Sequence, residues 1–253
     1  MIEEFNVTIP ALTGEEERRA FVYIPDAAKA GERFPVLYMF DGHNLFFDEY
    51  AAFGKSWGLK EYLDNTKTPL IVAAVECNHE GNMRLSEYSP VDFIFKDGEK
   101  IKGRGKKYMD WLTGTFKPFI DENYPTLTDR KNTAIAGSSM GGLMTLYALS
   151  RYNKYFSRGA ALSPSLWVGG GEVPLFVLNG KYGKDTVLYM DYGSKEFKNH
   201  AVQKRVFRET VSALLEKGVL LTSRIVPGGT HSEFSWEKQI PLFMRVSGFM
   251  PKE

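Results

Sequence analysis

Apolar and polar positions follow two alternating patterns along the chain. Six compact runs of apolar or β-branched residues end in glycine or polar residues, at 34–42, 70–77, 132–137, 158–163, 186–193 and 222–229. Such runs are typical of parallel strands in a sheet that is covered on both faces. Segments with helical periodicity lie between or after them, at 56–65, 106–124, 143–152, 198–217 and 233 to about 250. Strands that alternate with helices predict an α/β fold with helices on both faces of a mostly parallel sheet.

The N-terminal segment has a different pattern of residues. Two β-type runs, 4–10 and 18–25, each end in a proline. Proline cannot donate to a strand ladder, so these runs predict an antiparallel pair at an edge of the sheet. We find no linker, repeat or low-complexity tract, and we expect residues 1–253 to form a single domain. The basic, glycine-rich stretch 96–107 is expected to be a solvated loop, with a gate over the site or a contact for an acidic substrate as the alternative.

Composition excludes several classes of partner. Lysine and arginine number 32 against 31 aspartate and glutamate, so no net field attracts nucleic acid or an anionic membrane. No stretch approaches the ~18 apolar residues of a membrane span, and the acidic N-terminus does not resemble a signal peptide. The only cysteine, Cys77, ends an apolar run and is expected to be a small residue in or near the core. These features predict a cytoplasmic protein with a small-molecule partner.

The sequence Gly137-Ser-Ser-Met-Gly141 matches the pattern G-x-S-x-G, with Ser139 at its centre. A predicted strand precedes it and a predicted helix follows, which is the context that a nucleophile elbow requires. Small neighbours allow the serine to adopt a strained conformation and to be approached closely. The helix N-terminus favours negative charge that develops beside the hydroxyl. Ser139 is therefore the predicted nucleophile, and a plain glycine-rich turn is the alternative.

A serine nucleophile needs a base and an acid, which follow it in the order acid then histidine in this type of fold. His231 follows the last predicted strand and is the predicted base, whereas His200 is interpreted as a surface or helix-end residue. Two carboxylates, Asp191 and Glu196, lie at the end of the strand 186–193. Glu196 is favoured because it lies beyond the strand, in the loop where the triad acid usually resides.

An oxyanion hole needs two N–H donors. One is predicted at Met140, directly after the nucleophile, and the other at His43 or Asn44 in the turn after the first predicted parallel strand. His43 has no partner at the spacing of a metal-binding motif, so no metal is predicted. Chemistry of this kind needs no cofactor, and none is predicted.

Six segments together resemble one family of enzymes. LYMFDGHNLF, RLSEYSP, IAGSSMGGLMTLYAL, ALSPSLW, GSKE and GGTHSEFSW occur in the order and at the spacing of the putative esterase family, also called esterase D-like α/β-hydrolases. The family includes feruloyl and acetylxylan esterases, siderophore esterases, S-formylglutathione hydrolases and mycolyltransferases. The resemblance implies an α/β-hydrolase fold from about Phe34 onward, with Ser139 as nucleophile, His231 as base and Glu196 as acid. It also implies oxyanion donors at Met140 and His43.

The predicted function is that of a serine carboxylic-ester hydrolase acting on small or aromatic esters. Asn44 and Trp167 are candidate substrate contacts, although Trp167 is equally compatible with loop packing. Val168 stands where siderophore esterases commonly have a second tryptophan, which argues against a trilactone substrate. Four aromatic residues after the oxyanion turn could line an acyl pocket or fill the core, namely Phe46, Phe47, Phe53 and Trp57. A siderophore trilactone esterase, an acyltransferase and a non-catalytic binding module on the same fold are the alternatives.

Overall fold

The computed structural model describes residues 1–26, 28, 31–196 and 201–249. Its strands are β1 (Ile2–Thr8), β2 (Glu17–Tyr23), β3 (Val36–Met39), β4 (Ile71–Val75), β5 (Phe93–Ile94), β6 (Lys100–Ile101), β7 (Thr133–Ser138), β8 (Arg158–Leu162), β9 (Val187–Gly193) and β10 (Leu220–Val226). Its helices are α1 (Pro10–Thr13), α2 (Leu59–Thr66), α3 (Met83–Glu87), α4 (Gly105–Trp111), α5 (Lys117–Asn123), α6 (Met140–Arg151), α7 (Val173–Leu178), α8 (Ala201–Glu216), α9 (Glu233–Glu237) and α10 (Ile240–Val246). A π-helical turn joins α4 to α5.

Eight strands form one sheet in the order β1-β2-β4-β3-β7-β8-β9-β10. The six strands from β4 to β10 in this order are parallel, as the apolar runs predicted. The first two strands are antiparallel to each other, and β2 is antiparallel to β4. The predicted parallel sheet with an antiparallel N-terminal edge is therefore confirmed. That residues 1–253 form a single domain stays a prediction.

Alternation along the central strands divides the core between the two faces of the sheet. In β3, Val36 and Tyr38 belong to one buried cluster, and Leu37 and Met39 belong to the other. The first cluster includes residues of α4, α6 and α8, and the second includes residues of α2 and α10. Because successive strand side chains point to opposite faces, an apolar run can fill both clusters at once. The helices cover the faces and leave the carboxyl ends of the strands for a site.

Several short elements were not predicted. The stretch 96–107, expected to be a solvated loop, contains β6, which pairs with β5 in a separate antiparallel ribbon, and the start of α4. The elements α3 and α7 have five and six residues, too few to show helical periodicity. The predicted final helix is two helices, α9 and α10. Pro241 lies in the first turn of α10, which begins at Ile240, and it has no N–H that could continue the hydrogen bonding of α9.

The structure also bears on the expectations for Cys77, His200 and a membrane span. Cys77 is 3% exposed and packs in the first core cluster, as predicted. His200 lies outside the described residues. No helix among the described residues combines the length and the apolar character needed to cross a bilayer.

Candidate active site

Ser139 occupies the turn between β7 and α6, where its backbone has φ 58° and ψ −120°. A side chain rarely adopts this region, so the surrounding structure must impose it. Two glycines make the turn possible. A Cβ on Gly137 would lie 2.8 Å from the Gly141 carbonyl carbon, and a Cβ on Gly141 would lie 2.9 Å from the Phe40 Cβ. The glycines of the motif are therefore required by the close approach of strand, turn and helix.

Backbone strain is concentrated at this end of the sheet. Among the described residues, four non-glycine residues have positive φ, and three of them follow parallel strands: Asp41, Ser139 and Ser163. The fourth, Lys67, ends helix α2. Strained residues of this kind cluster where a site must hold its groups in fixed positions.

His231 joins two functional side chains that are distant in sequence. Its Nε2 lies 2.9 Å from the Ser139 Oγ, and its Nδ1 lies 2.7 Å from Glu196 Oε2. The other oxygen of Glu196 accepts hydrogen bonds from the Gly193 N–H and the Ser163 hydroxyl, both at 2.7 Å. When Nδ1–H donates to the carboxylate, Nε2 can accept the serine proton. The structure thus brings the three residues of the predicted triad into one hydrogen-bonded chain.

Asp191, the alternative acid, has a different environment. It lies within β9 and is 1% exposed, and its carboxylate accepts from the Tyr189 hydroxyl at 2.7 Å and the Ser163 N–H at 3.2 Å. Burial raises the pKa of Asp191 to about 6, and the two hydrogen bonds oppose this only in part. These contacts favour a structural role, because they fix Ser163, whose hydroxyl in turn holds Glu196.

The turn after β3 carries the predicted second oxyanion donor. Asp41 adopts a left-handed conformation and is followed by a 3-10 turn from Gly42 to Asn44. The Asn44 N–H donates to the Asp41 carbonyl at 2.9 Å, so this amide is already engaged in the turn. The His43 amide is therefore the better candidate. Burial lowers the pKa of the His43 imidazole, although Asp41 opposes the shift.

Arg84 fixes the position of this turn and was not assigned a role from the sequence. Its Nε and Nη2 donate to the two oxygens of Asp41 at 2.6 and 2.8 Å. Burial by itself would raise the pKa of Asp41, but the Arg84 guanidinium outweighs it and the pKa is lowered. The signal in the sequence was the RLSEYSP segment, which was recognised as a motif although the short helix α3 that carries it was not predicted.

Trp236 is a second residue without a predicted role. Its indole N–H donates to the Ser163 Oγ at 3.1 Å. Its ring meets the His231 ring edge-on, with the centroids 5.0 Å apart. Trp236 therefore contacts the imidazole directly and also supports Ser163, the hydroxyl that holds Glu196.

Two cavities meet at His231. One, of about 390 Å³, is lined by Ser139, His43, Arg84 and the exposed Phe53, among other residues. The other, of about 420 Å³, is lined by Trp167, Tyr192, Gln203 and Glu196, among others. His231, whose imidazole contacts the Ser139 hydroxyl, therefore faces both cavities.

Asn44 and Trp167, the candidate substrate contacts, each line one of these two cavities. Asn44 lines the first cavity, and its side-chain oxygen accepts from the Ala52 N–H at 2.9 Å. Trp167 lines the second cavity and also packs on Phe93 and Phe95, with ring centroids 5.5 and 5.9 Å away. Both the substrate and the packing interpretation of Trp167 are compatible with this position.

Most of the aromatic residues after the oxyanion turn fill the core. Phe46 and Trp57 are buried in the second core cluster, and Phe47 packs against it. Phe53 is 83% exposed and is the member of this group that lines the Ser139 cavity. The core interpretation therefore holds for Phe46 and Trp57, and Phe53 remains available to substrate.

Solved structures show the same fold. An IroE-like serine hydrolase from Shewanella oneidensis matches with a TM-score of 0.75 at 19% identity, over 98% of this chain and 79% of that chain. The α/β-hydrolase fold predicted from the sequence is confirmed.

The family follows from the sequence itself. The family model described as "Putative esterase" matches residues 12–242, and the chain belongs to this family. Membership confirms the predicted resemblance and the enzyme class, a carboxylic ester hydrolase.

Two curated relatives are each 26% identical to the chain. "Uncharacterized protein YbbA" of Bacillus subtilis (strain 168) matches over 212 residues, 79% of each chain. An endo-1,4-beta-xylanase/feruloyl esterase of Xylanibacter ruminicola matches over 209 residues, 82% of this chain but 25% of the relative.

Proposed function

We propose that this protein is a serine esterase that works through an acyl-enzyme, with Ser139 as nucleophile, His231 as general base and Glu196 as the acid. The observation that carries the proposal is the imidazole of His231, within 2.9 Å of the serine oxygen and 2.7 Å of the carboxylate. A hydroxyl is inert at neutral pH until a positioned base accepts its proton. The geometry supplies such a base, and the carboxylate stabilises the imidazolium that forms.

The proposed reaction has two halves. Ser139 Oγ attacks the ester carbonyl carbon while its proton passes to His231 Nε2, and the carbonyl oxygen becomes an oxyanion. The N–H groups of Met140 and His43 would receive this charge. The carbon–oxygen bond to the alcohol then breaks as His231 returns the proton to the leaving oxygen. Water repeats the sequence, giving its proton to His231 and releasing the acid and free Ser139.

The proposed substrates are small or aromatic esters of the feruloyl or acetyl type. The matched curated relative named a feruloyl esterase supports an aromatic acyl group, and Trp167 provides an aromatic surface in one of the two cavities. Val168, at the position of the second tryptophan in siderophore esterases, is fully buried in the first core cluster. It offers no aromatic surface to a bulky trilactone, so this substrate is the weaker candidate. Cytoplasmic location stays a prediction.

Covalent labelling tests the proposal. A fluorophosphonate probe, followed by proteolysis and mass spectrometry, should modify Ser139 and leave the Ser139→Ala variant unlabelled. Ser165 is a demanding internal control, because its Oγ lies 3.4 Å from the Ser139 Oγ. Labelling of Ser165 instead of Ser139 would contradict the assignment of the nucleophile. The absence of labelling at any serine would contradict the proposal and would favour a binding module.

Substrate class needs a separate measurement. Hydrolysis rates for nitrophenyl acetate, a methyl ferulate ester, an acetylated sugar and a trilactone should rank the first two above the trilactone. Adding an alcohol tests acyl transfer, because a large, saturable fraction of transfer product would mean that an alcohol replaces water in the second half-reaction.

A further inference from the structure

Three side chains with metal-ligating atoms meet on the wall of the Ser139 cavity. They are His43, Cys77 and His79, each of which offers one ligand atom, and these atoms all lie within 4.8 Å of one another. The rings of the two histidines are in edge contact, with their centroids 4.6 Å apart. All three residues line the same cavity as Ser139.

Strand order explains why local spacing did not reveal this cluster. His43 lies in the turn after β3, and Cys77 and His79 follow the end of β4. The two strands are parallel neighbours, so their carboxyl ends lie side by side although the segments are far apart in sequence. Local spacing predicted no metal at His43, whereas the fold supplies two further donors from a neighbouring loop.

The donor set itself points to a ligand. The His43 Nδ1 is buried and has no hydrogen-bond partner among the described residues. A buried polar atom normally has a hydrogen-bond partner, which can be a protein group, a water or an ion. Two imidazole nitrogens and one sulfur are the ligands that Zn²⁺ prefers, and they are poor ligands for Mg²⁺ or Ca²⁺, which bind oxygen.

The distances require only a small closure. Zinc binds nitrogen at about 2.0–2.1 Å and sulfur at about 2.3 Å, so tetrahedral ligand atoms lie roughly 3.3 to 3.8 Å apart. The ligand atoms must therefore come closer by about 1 Å, through rotation of the exposed His79 ring and a small shift of the buried His43 imidazole towards Cys77. Three protein ligands would leave the fourth position open to the cavity, which is the arrangement of an accessible rather than a closed structural zinc site.

We propose that His43, Cys77 and His79 form a Zn²⁺ site that opens onto the Ser139 cleft and inhibits the esterase when it is filled. The Cys77 and Asp41 side chains line the same cavity. Binding exchanges the thiol proton for the metal, so one proton leaves to solvent for each Zn²⁺ bound through sulfur.

Inhibition follows from the position of His43 and rests on the proposed function. The backbone N–H of His43 is a proposed oxyanion donor, and its side chain would be a zinc ligand. Pulling the imidazole towards Cys77 and His79 would displace this amide, and the metal with its water would occupy part of the cavity that the ester must enter. Loss of one oxyanion donor costs on the order of 10² to 10³ in rate in serine hydrolases.

Binding can be measured without any substrate, so it does not depend on the esterase proposal. Equilibrium dialysis and titration calorimetry with Zn²⁺ should give one equivalent per chain for the wild-type protein. Calorimetry in buffers of different ionisation enthalpy should report release of about one proton. Cys77→Ser and His79→Gln should each weaken binding by more than the roughly 10- to 100-fold that loss of a partner outside the ligand shell costs. Co²⁺ as a probe should give a thiolate charge-transfer band that is absent from Cys77→Ser.

His231→Ala is the matched control, because this histidine lines the same cavity but belongs to the proposed triad. It should bind Zn²⁺ as the wild type does while losing hydrolysis. The proposal is overturned if the wild type takes up no stoichiometric Zn²⁺, or if His231→Ala loses binding while Cys77→Ser keeps it. If Cys77→Ser does not fold, His79→Gln and the Co²⁺ band of the wild type still decide the outcome.

An activity measurement completes the test. Zn²⁺ should slow hydrolysis by the wild type, and the ratio of rates with and without Zn²⁺ should move towards one in His79→Gln. Stoichiometric binding without any change in rate would overturn the inhibitory role and leave the zinc site itself standing. A protein that binds Zn²⁺ at these residues but hydrolyses no ester would instead count against the proposed function.

Discussion

The two walls of the Ser139 cleft are built differently. The β9–β10 wall, which consists of Glu196 and His231, satisfies both carboxylate oxygens and both ring nitrogens with hydrogen bonds. The β3–β4 wall, which consists of Asp41, His43, Cys77 and His79, contains a buried imidazole nitrogen without a partner among the described residues. A continuous series of hydrogen bonds is suited to proton transfer, whereas a nitrogen atom without a hydrogen-bond partner can bind a ligand. The difference is the basis for assigning proton transfer to one wall and metal binding to the other.

A buried ion pair next to the β3–β4 wall also supports it. Glu87, on the same short helix as Arg84, pairs with Arg18 of β2 at 2.7 Å, and both side chains are 3% exposed. Its other oxygen accepts from the Asn78 N–H at 2.7 Å, between Cys77 and His79. One buried carboxylate therefore links helix α3 to the loop after β4.

The largest expected effect is on turnover, at the β9–β10 wall. Glu196→Gln removes the charge that stabilises the His231 imidazolium, and we expect kcat to fall by on the order of 10⁴, as for the triad acid of serine proteases. Asp191→Asn is the matched control, and it should change kcat by less than about tenfold because an amide oxygen still accepts a hydrogen bond there. Steady-state kinetics on nitrophenyl acetate measures both. If kcat falls by this amount in Asp191→Asn and not in Glu196→Gln, the acid has been assigned to the wrong carboxylate.

The second expected effect is on stability, behind the β3–β4 wall. Glu87→Gln leaves the Arg18 guanidinium buried without its counter-charge, and loss of one partner of a buried pair costs about 3–5 kcal/mol of the free energy of unfolding. Glu209→Gln breaks an exposed pair one helical turn apart, Arg205 with Glu209, and should cost no more than about 0.5 kcal/mol. Urea denaturation followed by circular dichroism compares the two. Equal midpoints for the two variants would show that the buried pair does not hold α3 in place.

The smallest expected effect concerns the pH dependence of stability and sharpens the contrast between Asp191 and Glu196. The folded-state pKa of Asp191 is about 6, above its ordinary value of 3.8. A raised acid pKa means that the folded state binds the proton more tightly, so this stabilisation is present below about pH 3.8 and is lost as the pH rises through about 6. Asp191→Asn cannot ionise and should escape the loss.

Unfolding free energies measured between pH 4 and pH 8 test this expectation. Relative to the wild type, the Asp191→Asn variant should gain on the order of 2–3 kcal/mol across this range, from 1.36 kcal/mol per pKa unit. Glu196→Gln serves as the comparison at the other carboxylate. A constant difference between Asp191→Asn and wild type at all pH values would contradict the raised pKa.

Long regular elements and the chemistry at their ends were readable from local pattern. The parallel strands are continuous apolar runs, and the glycines beside Ser139 permit the close approach of strand and helix that the turn between β7 and α6 requires. The resemblance then implied His231 and Glu196, which the fold does bring to Ser139. Short elements such as α3 were not predicted, because five residues show no helical periodicity. The role of Arg84, which lies on α3, was therefore not predicted either.

The sequence by itself determined the order of strands and helices along the chain, the elbow that carries Ser139, and the set of side chains able to do ester chemistry. It did so because periodicity and turn residues act over a few neighbouring positions. Only the tertiary structure decided that Asp41 pairs with Arg84, that Asp191 is buried while Glu196 meets His231, and that His43 lies beside Cys77 and His79. These outcomes depend on which strands become neighbours in the sheet, and that is fixed by burial of the whole core rather than by any local segment.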